Sequence, residues 1–423
     1  MSSPTPASAA VTKVLVIGGS YAGLSATVNL LDLGNHIKPR FNYPSYKHDP
    51  EAPRTPVEIT IVDERDGFYH LIGSPLAFAS DSYAPQSWTR FVDIPALQTP
   101  AVRFVQGSVA SVDPEAKTAS IVNGVTKEVS VEGYDFLLAA TGLRRVFPVQ
   151  PQSLSRKAFL LEAEEHIHAV KNAVDGVVVV GGGAVGIEMA AELKLVHPDV
   201  KVTLVHSREK LLSSEPLDEE MKDRALELLQ EAGVETIMGR RVKETRTEMK
   251  DGIKKMEVEL SDGSKLAASE VIMALSKSVP SSTYLPASAV DEEGYVKITP
   301  SLHLEEGTPN ATSHFVAGDV ARWSGIKRCG GAMHMGFYAA VNIHQMILSR
   351  VVPGHVPAFM DLVKFEPSMG LAVGKKAVAS GPGVPVTFGE DVMKAYFGDD
   401  LGLSICWDYI QLSTEKFKER NLA

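Results

Sequence analysis

Two glycine-rich strand–turn–helix segments, with a run of short β segments between them, predict an α/β fold of two similar three-layer units followed by a small α+β unit. The first, "VLVIGGSYAGLSATVNLL" (Val14–Leu31), joins an apolar strand to helically spaced apolar residues through Gly18, Gly19, Ser20, Tyr21, Ala22 and Gly23. The second, "VVVVGGGAVGIEMAAEL" (Val177–Leu193), repeats the design with Gly181, Gly183 and Gly186 in full G-x-G-x-x-G register. Such a turn suits a phosphate. Free N–H groups and the positive end of the helix dipole point at the anion, and glycines let the backbone come close. One copy is a weak signal; two copies in the same context predict two Rossmann-like dinucleotide units.

The first copy carries Ser20 where the middle glycine belongs. A serine between glycines also fits the hydrolase nucleophile elbow G-x-S-x-G, but that motif needs glycine at position 22, where Ala22 stands. Each motif misses by one residue. Position at the end of the first strand favours the cradle, with the Ser20 hydroxyl as a donor to a pyrophosphate.

The next elements follow in order. "VEITIVDER" ends the second strand with Asp63 and Glu64, the place from which an acid binds ribose hydroxyls. The proline-rich stretch from Gly34 to Pro56 reads as a surface insertion ahead of it. Residues 103–142 alternate short β runs with Asp-Pro and Asn-Gly turns, as an antiparallel meander does, and end in the buried strand "YDFLLAATG". After the second glycine turn come a strand "KVTLVHS", an amphipathic helix closed by Gly233 and a strand "VETIMG". "KKMEVEL" and "KLAASEVIMAL" flank Asp262–Gly263 as a hairpin. Met335–Met346 reads as a mostly apolar helix, and the tail mixes short β runs with a closing polar helix, "STEKFKERNLA".

Composition sets outer bounds. At 423 residues, with 44% hydrophobic and 22% charged residues, the chain has an ordinary globular make-up for two or three domains. A net charge of −10 repels polyanions, so nucleic acid is not an expected partner. The two cysteines, Cys329 and Cys406, form no C-x-x-C and supply no cysteine-rich zinc site, and no metal site is expected. "MSSPTPASAA" lacks the basic and apolar regions of a signal peptide, and Ser2 stands where myristoylation needs glycine. The expected compartment is the cytoplasm, without a spanning helix; peripheral membrane contact and oligomeric state stay open.

"LLAATG", ending at Thr141–Gly142, and "TSHFVAGDVARW", with Gly318–Asp319 after an apolar strand, complete a set of four signatures. On these the chain resembles the two-dinucleotide flavoprotein family of pyridine-nucleotide-dependent oxidoreductases. Within it, "VIGGSYAG", "VDERDGFYH", "GSVASVD", "TLVHS" and "VAGDVA" resemble the apoptosis-inducing-factor-like and ferroptosis-suppressor-like group, including fungal AMID-like members. The resemblance implies FAD at the first turn, with Asp319 at its ribityl or phosphate part and the Val109 backbone at the adenine. It implies NAD(P)H at the second turn, with Glu188 near the nicotinamide. It also implies an FAD-binding domain in two segments (11–148 and 281–350), an inserted NAD(P)H-binding domain (149–280) and a C-terminal domain (351–423); residues 1–10 read as a disordered tail from their composition. Ala332 and Leu76 stand where the group's pattern has Lys and Arg.

After "TLV" come His206, Ser207 and Arg208, then Glu209. An acid directly after this strand favours NADH and a nearby Arg accommodates the 2′-phosphate of NADPH, so this order permits NADPH without excluding NADH. His334 at the flavin-side helix start is a candidate proton donor, with a structural role as the alternative. Cys329, beside Gly330–Gly331 and with no partner cysteine in sequence, reads as a packing residue. His166 and His168, two apart on a helix, face different ways and cannot pair as ligands. The four signatures in order favour the cradle over the hydrolase. The expected function is hydride transfer from NAD(P)H to FAD and onward to a quinone-like or other small-molecule acceptor. The alternatives are a flavoprotein acting on a specialised natural product, with or without nicotinamide turnover, and a non-enzymatic signalling protein.

Overall fold

The computed structural model describes residues 11–40, 46–49, 51–250, 253–275 and 278–413; the expected disordered start and closing helix lie outside these. β1 (Thr12–Ile17) runs into α1 (Tyr21–Gly34), and β2 (Val57–Asp63) follows the insertion. β3 (Gly67–Tyr69) and β4 (Trp88–Arg90) pair on either side of the one-turn α2 (Ser74–Ala77). β5 (Val102–Asp113), β6 (Thr118–Asn123) and β7 (Val129–Gly133) form the predicted meander, followed by β8 (Phe136–Ala139) and the short β9 (Leu143–Arg144).

α3 (Arg156–Lys171) leads into β10 (Val177–Val180), α4 (Ala184–Val196), β11 (Val202–Val205), α5 (Glu219–Glu231) and β12 (Glu235–Ile237). β13 (Val242–Lys250), β14 (Ile253–Leu260) and β15 (Lys265–Ala268) are antiparallel, and β16 (Glu270–Met273) returns to the main sheet beside β10. β17 (Val279–Pro280) pairs antiparallel with β9, so the chain leaves and re-enters the first unit through adjacent strands. β18 (His314–Val316) and α6 (Cys329–Val351) follow, then β19 (Met369–Val373), β20 (Lys376–Gly381), β21 (Val384–Gly389), α7 (Glu390–Tyr396) and α8 (Leu403–Ile410).

The first sheet has the order β18-β8-β1-β2-β5-β6-β7, parallel through β5 and antiparallel beyond it. The second is β12-β11-β10-β16, all parallel. β8 and β10 read FLLA and VVVV because every residue of each is buried, as in parallel strands covered on both faces. No helix among the described residues is long and apolar enough to cross a membrane.

Three readings change. "KLAASEVIMAL" is two strands in two sheets: the Ser269 N–H donates to Gly176 O (2.9 Å) and its hydroxyl accepts from Asp175 N (3.0 Å), which turns the chain from β15 into β16. β13 went unread because its "VKETRTEMK" has no apolar alternation. α6 starts at Cys329, not Met335, its first turn disguised by Gly330 and Gly331. The C-terminal segment is α+β but divides its packing: Leu403, Trp407 and Ile410 of α8 join the core of the first unit, whereas Leu371, Val373 and Val378 join that of the second.

Candidate active site

The first glycine turn is shaped by contacts that leave no room for side chains. Gly18 has φ +103°, its N–H donates to Val62 O (2.8 Å), and a Cβ there would stand 2.4 Å from Ala140 O. A Cβ on Gly23 would stand 1.8 Å from Gly18 O, so α1 can cross the strand end only with glycine at that place. Asp63 ties the turn down: Oδ2 accepts from Gly19 N (2.7 Å) and Oδ1 from Arg65 N (2.8 Å). Burial raises its carboxyl above the ordinary range, against those two N–H groups and the Arg65 charge. Ser20 is the N-cap of α1 and makes no side-chain cap bond.

A cleft of about 550 Å³ opens at this turn. Of the expected residues, Gly18, Gly19, Ser20, Tyr21, Ala22, Asp63, Glu64, Val109, Thr141, Gly142, Gly318, Asp319 and Glu188 line it. Glu64 Oε1 accepts from Ser108 Oγ (2.9 Å) and Arg144 (2.7 Å); burial opposes its charge, but these partners outweigh it and hold the carboxyl below its usual range. Thr141 Oγ1 donates to Ser281 O (2.7 Å). Burial raises the Asp319 carboxyl, against the charges of Lys327 and Arg145.

Sequence reading missed Arg65, Arg145 and Lys327, all lining the cleft. No motif marks them; they come from the loops after β2 and β9 and from the turn before α6. The Nε atoms of Arg65 and Arg145 are buried with no hydrogen-bond partner. A glycine cradle at a helix N-terminus, with two guanidiniums holding spare donors, suits the pyrophosphate of a dinucleotide.

The second turn is built on the same plan outside this lining. Gly181 (φ +123°) donates to Val205 O (2.9 Å), a Cβ on it would stand 2.7 Å from Ala274 O, and one on Gly186 would stand 2.0 Å from Gly181 O. Gly183 is the N-cap of α4. Here the brace is His206: Nδ1 accepts from Gly182 N (3.0 Å), which leaves Nε2 to donate to Ser213 Oγ (3.2 Å). Burial lowers His206, with the nearby Arg208 charge acting the same way and the Lys210 backbone against them. Ser207 and Arg208 are exposed, and Arg208 donates to Ser213 O (3.2 Å).

Glu188 reaches the cleft from the first turns of α4. Burial pushes its carboxyl up to about 8, with the Ala372 backbone N–H opposing and Glu192 adding to the rise. Glu192, on the next turn, is also pushed up to about 8 by burial. His334 is not among the lining residues; its Nε2 lies 2.7 Å from Tyr409 Oη. His166 packs on Phe78 and Phe147, while His168 is exposed. Tyr21, which lines the cleft, donates from Oη to His70 Nδ1 (3.0 Å), and His70 Nε2 donates to Leu401 O (3.0 Å). The expectation that Cys329 lacks a partner is corrected: α8 brings Cys406 Sγ to 3.9 Å, a contact set by the C-terminal fold and invisible in the spacing.

The chain is similar to known proteins in sequence and in fold. The chain is 52% identical over 408 residues to "Oxidoreductase OXR1" of Ajellomyces capsulatus, covering 94% of this chain and 87% of that one. It is 28% identical over 342 residues to "Ferroptosis suppressor protein 1" of Mus musculus (79% and 80% covered). The water-forming NADH oxidase from Lactobacillus brevis, solved bound to NADH, superposes with a TM-score of 0.63 at 17% identity, covering 88% of this chain and 75% of that one. Residues 12–336, which hold both glycine turns and Gly318–Asp319, match the family described as pyridine nucleotide-disulphide oxidoreductase. The chain therefore belongs to that family, as an FAD-dependent oxidoreductase that uses NAD(P)H.

Proposed function

We propose that the protein passes a hydride from NAD(P)H to FAD and then electrons to a quinone-like or other small-molecule acceptor, with FAD along the first turn and the nicotinamide nucleotide at the second. The observation that carries this reading is that Glu188, from the second unit, lines the same cleft as the first turn and Asp319. Bound FAD supplies the redox chemistry, taking two electrons as hydride and releasing them to the acceptor. The protein's part is placement. The N-terminus of α1 with Arg65 and Arg145 holds the pyrophosphate, Asp63 and Glu64 the adenosine ribose, the Val109 backbone the adenine, and Asp319 the ribityl side. Gly181, Gly183 and Gly186 hold the nicotinamide-side pyrophosphate, with His206, Ser207 and Arg208 at its adenosine ribose. Glu188 positions the nicotinamide and, at neutral pH, keeps a proton on its carboxyl.

Ala332, on the cleft wall where the group's pattern has Lys, favours a second reading in which the acceptor is a specialised small molecule. Anaerobic addition of NADPH or NADH to the purified yellow protein should bleach its flavin bands, and menadione should restore them. Absence of bleaching by either nucleotide overturns the nicotinamide step. Bleaching with no acceleration by menadione overturns the quinone acceptor and leaves the second reading.

A further inference from the structure

The two cysteines of this chain come from distant segments and meet at the cleft. Cys329 is the first residue of the 23-residue α6 and lines the cavity; Cys406, in α8, is 3% exposed. Their sulfurs are 3.9 Å apart, and both lie near enough to Tyr21 to raise its phenol, behind the larger effect of burial. The pair is asymmetric. With Cys406 as donor, the S–H···S contact lowers the Cys329 thiol, and the Gly330 N–H and the Arg328 charge add to this against burial; the same contact, with burial, raises Cys406. A cleft-facing sulfur at a helix N-terminus favours the thiolate, and a thiolate with a second thiol behind it is the arrangement that oxidants convert to a disulfide.

The move required is small. A disulfide needs about 2.05 Å between sulfurs, and Gly330 and Gly331 follow Cys329. A Cβ on Gly330 would meet nothing within 4 Å and one on Gly331 only the Arg328 side chain at 3.7 Å, so the outer side of the first turn of α6 has open space beside it, while the buried Ala332 and the Ser25 Oγ–Met333 O bond (2.8 Å) anchor its inner side.

We propose that Cys329 and Cys406 form a redox-active thiol pair that reduces a small hydroperoxide entering the cleft and closes to an intramolecular disulfide. Cys329 Sγ attacks one peroxide oxygen and the O–O bond breaks; the departing oxygen leaves as an alcohol, or as water when the oxidant is hydrogen peroxide, with a proton from solvent. Cys329 is now a sulfenic acid. Cys406 Sγ attacks it, the S–O bond breaks, and the hydroxyl leaves as water with the Cys406 proton. In balance, two thiols lose two electrons and two protons, and one hydroperoxide becomes alcohol and water.

Because the chain has no other cysteine, the test is a count. Full-length holoprotein is treated with an equimolar amount of hydrogen peroxide, quenched with denaturant and N-ethylmaleimide, and weighed intact. The expected result is a fall from two alkylated thiols to none, with one tryptic species joining the Cys329 and Cys406 peptides and both thiols recovered by dithiothreitol. In Cys406→Ala, dimedone should trap Cys329 as the sulfenic acid; in Cys329→Ser, Cys406 should stay reduced. Two thiols still alkylated in the wild type, a cross-link only between chains, or Cys329 over-oxidised while Cys406 remains free would each overturn the proposal. The wild-type count does not depend on whether the variants fold, and it is unaffected by which acceptor the flavin serves.

Discussion

The two glycine turns match in their backbone contacts, although Ser20 and Tyr21 stand in the first where the second has Gly183 and Ala184, and the larger differences fall in what surrounds them. Gly18 and Gly181 donate to Val62 and Val205, and Gly23 and Gly186 are each closed off by the carbonyl of the turn's first glycine. By the strand pairings Ile17↔Val62 and Val180↔Val205, Asp63 and His206 hold equivalent places, and both accept the N–H of the turn's second residue. One brace is a carboxylate and the other an imidazole. Two positions after the last glycine and four further on, α1 has Ser25 and Asn29, whereas α4 has Glu188 and Glu192. The backbone cradle is thus generic to phosphate. On the proposed function, selectivity for the rest of the nucleotide falls to the brace and to these helix positions: an acid at the brace would hydrogen-bond a ribose hydroxyl, whereas both nitrogens of the imidazole are already bonded.

Filling both turns in the same way has the largest expected effect. Gly23→Val puts a side chain into the Gly18 carbonyl at the proposed FAD cradle, within the larger core of the first unit. We expect loss of bound flavin and of most soluble protein, a destabilisation above about 4 kcal/mol. Gly186→Val meets the Gly181 carbonyl in the same manner, but should yield a yellow protein that neither nucleotide bleaches. The ratio of flavin to protein absorbance separates them, and equal flavin loss in both would show that the turns are not independent.

The next largest effect is expected at His206. Its Nδ1 can accept from Gly182 only while unprotonated. An ordinary histidine titrates near about 6.5, and the folded His206 lies below that. A lowered histidine contributes its bracing fully above the unfolded value and loses it as pH falls through the folded one. KM for NADH should therefore be flat from pH 8 to about 6.5 and climb below it; NADH is used because the 2′-phosphate of NADPH titrates near about 6 itself. His206→Asn, whose amide oxygen accepts the same N–H at any pH, should flatten the climb. His206→Ala should raise KM about tenfold at all pH values, the ~1.4 kcal/mol of a lost buried acceptor. A climb that persists in His206→Asn would assign it elsewhere.

How far sequence reaches follows from the same comparison. The turns were legible because Gly18, Gly23, Gly181 and Gly186 sit where a Cβ has nowhere to go, and the place of Asp63 beside the first was legible because strand ends are fixed relative to the turn, although its brace on Gly19 was not. His206 was named, but as a ribose neighbour; that it braces Gly182 depends on register between strands. Arg65, Arg145 and Lys327 were not legible, since loop cations carry no periodicity and only the folded cleft gathers them. The Cys329–Cys406 contact failed for a related reason: it joins α6 to α8, and the docking of α8 on the first core leaves no local pattern.

Arg208 gives a smaller effect. It is exposed and bonded to the Ser213 carbonyl, so its pull on a 2′-phosphate is screened. Arg208→Ala should raise KM for NADPH about fivefold, near 1 kcal/mol, and leave NADH within error. An equal change for both nucleotides would place the guanidinium away from the ribose.

The last contrast lies in the helices themselves. In α1 the buried polar side chains are neutral and satisfied: Ser25 Oγ donates to Met333 O (2.8 Å), and Asn29 donates to Ser25 O (2.7 Å) while accepting from Arg40 N (2.9 Å). In α4, Glu192 is 1% exposed and its Oε1 has no partner. Burial pushes this carboxyl up to about 8, with only the Gly374 N–H opposing, so the folded chain keeps a proton that the unfolded chain gives up near 4.5. The sign follows. A raised carboxyl costs nothing below the unfolded value, and stability falls as pH rises from there to the folded value, beyond which the loss is complete. Glu192→Gln carries no such titration. Its melting temperature should equal that of the wild type near pH 5 and exceed it by about 2 °C or more at pH 8.5, with flavin content unchanged. Glu188→Gln should show the same trend more weakly, because Glu188 borders the cleft, and should in addition slow flavin reduction about tenfold, ~1.4 kcal/mol in the barrier, if its carboxyl positions the nicotinamide. A difference in melting temperature that does not grow with pH would mean that Glu192 is ionised in the fold, and the contrast between the two helices would lose its physical basis.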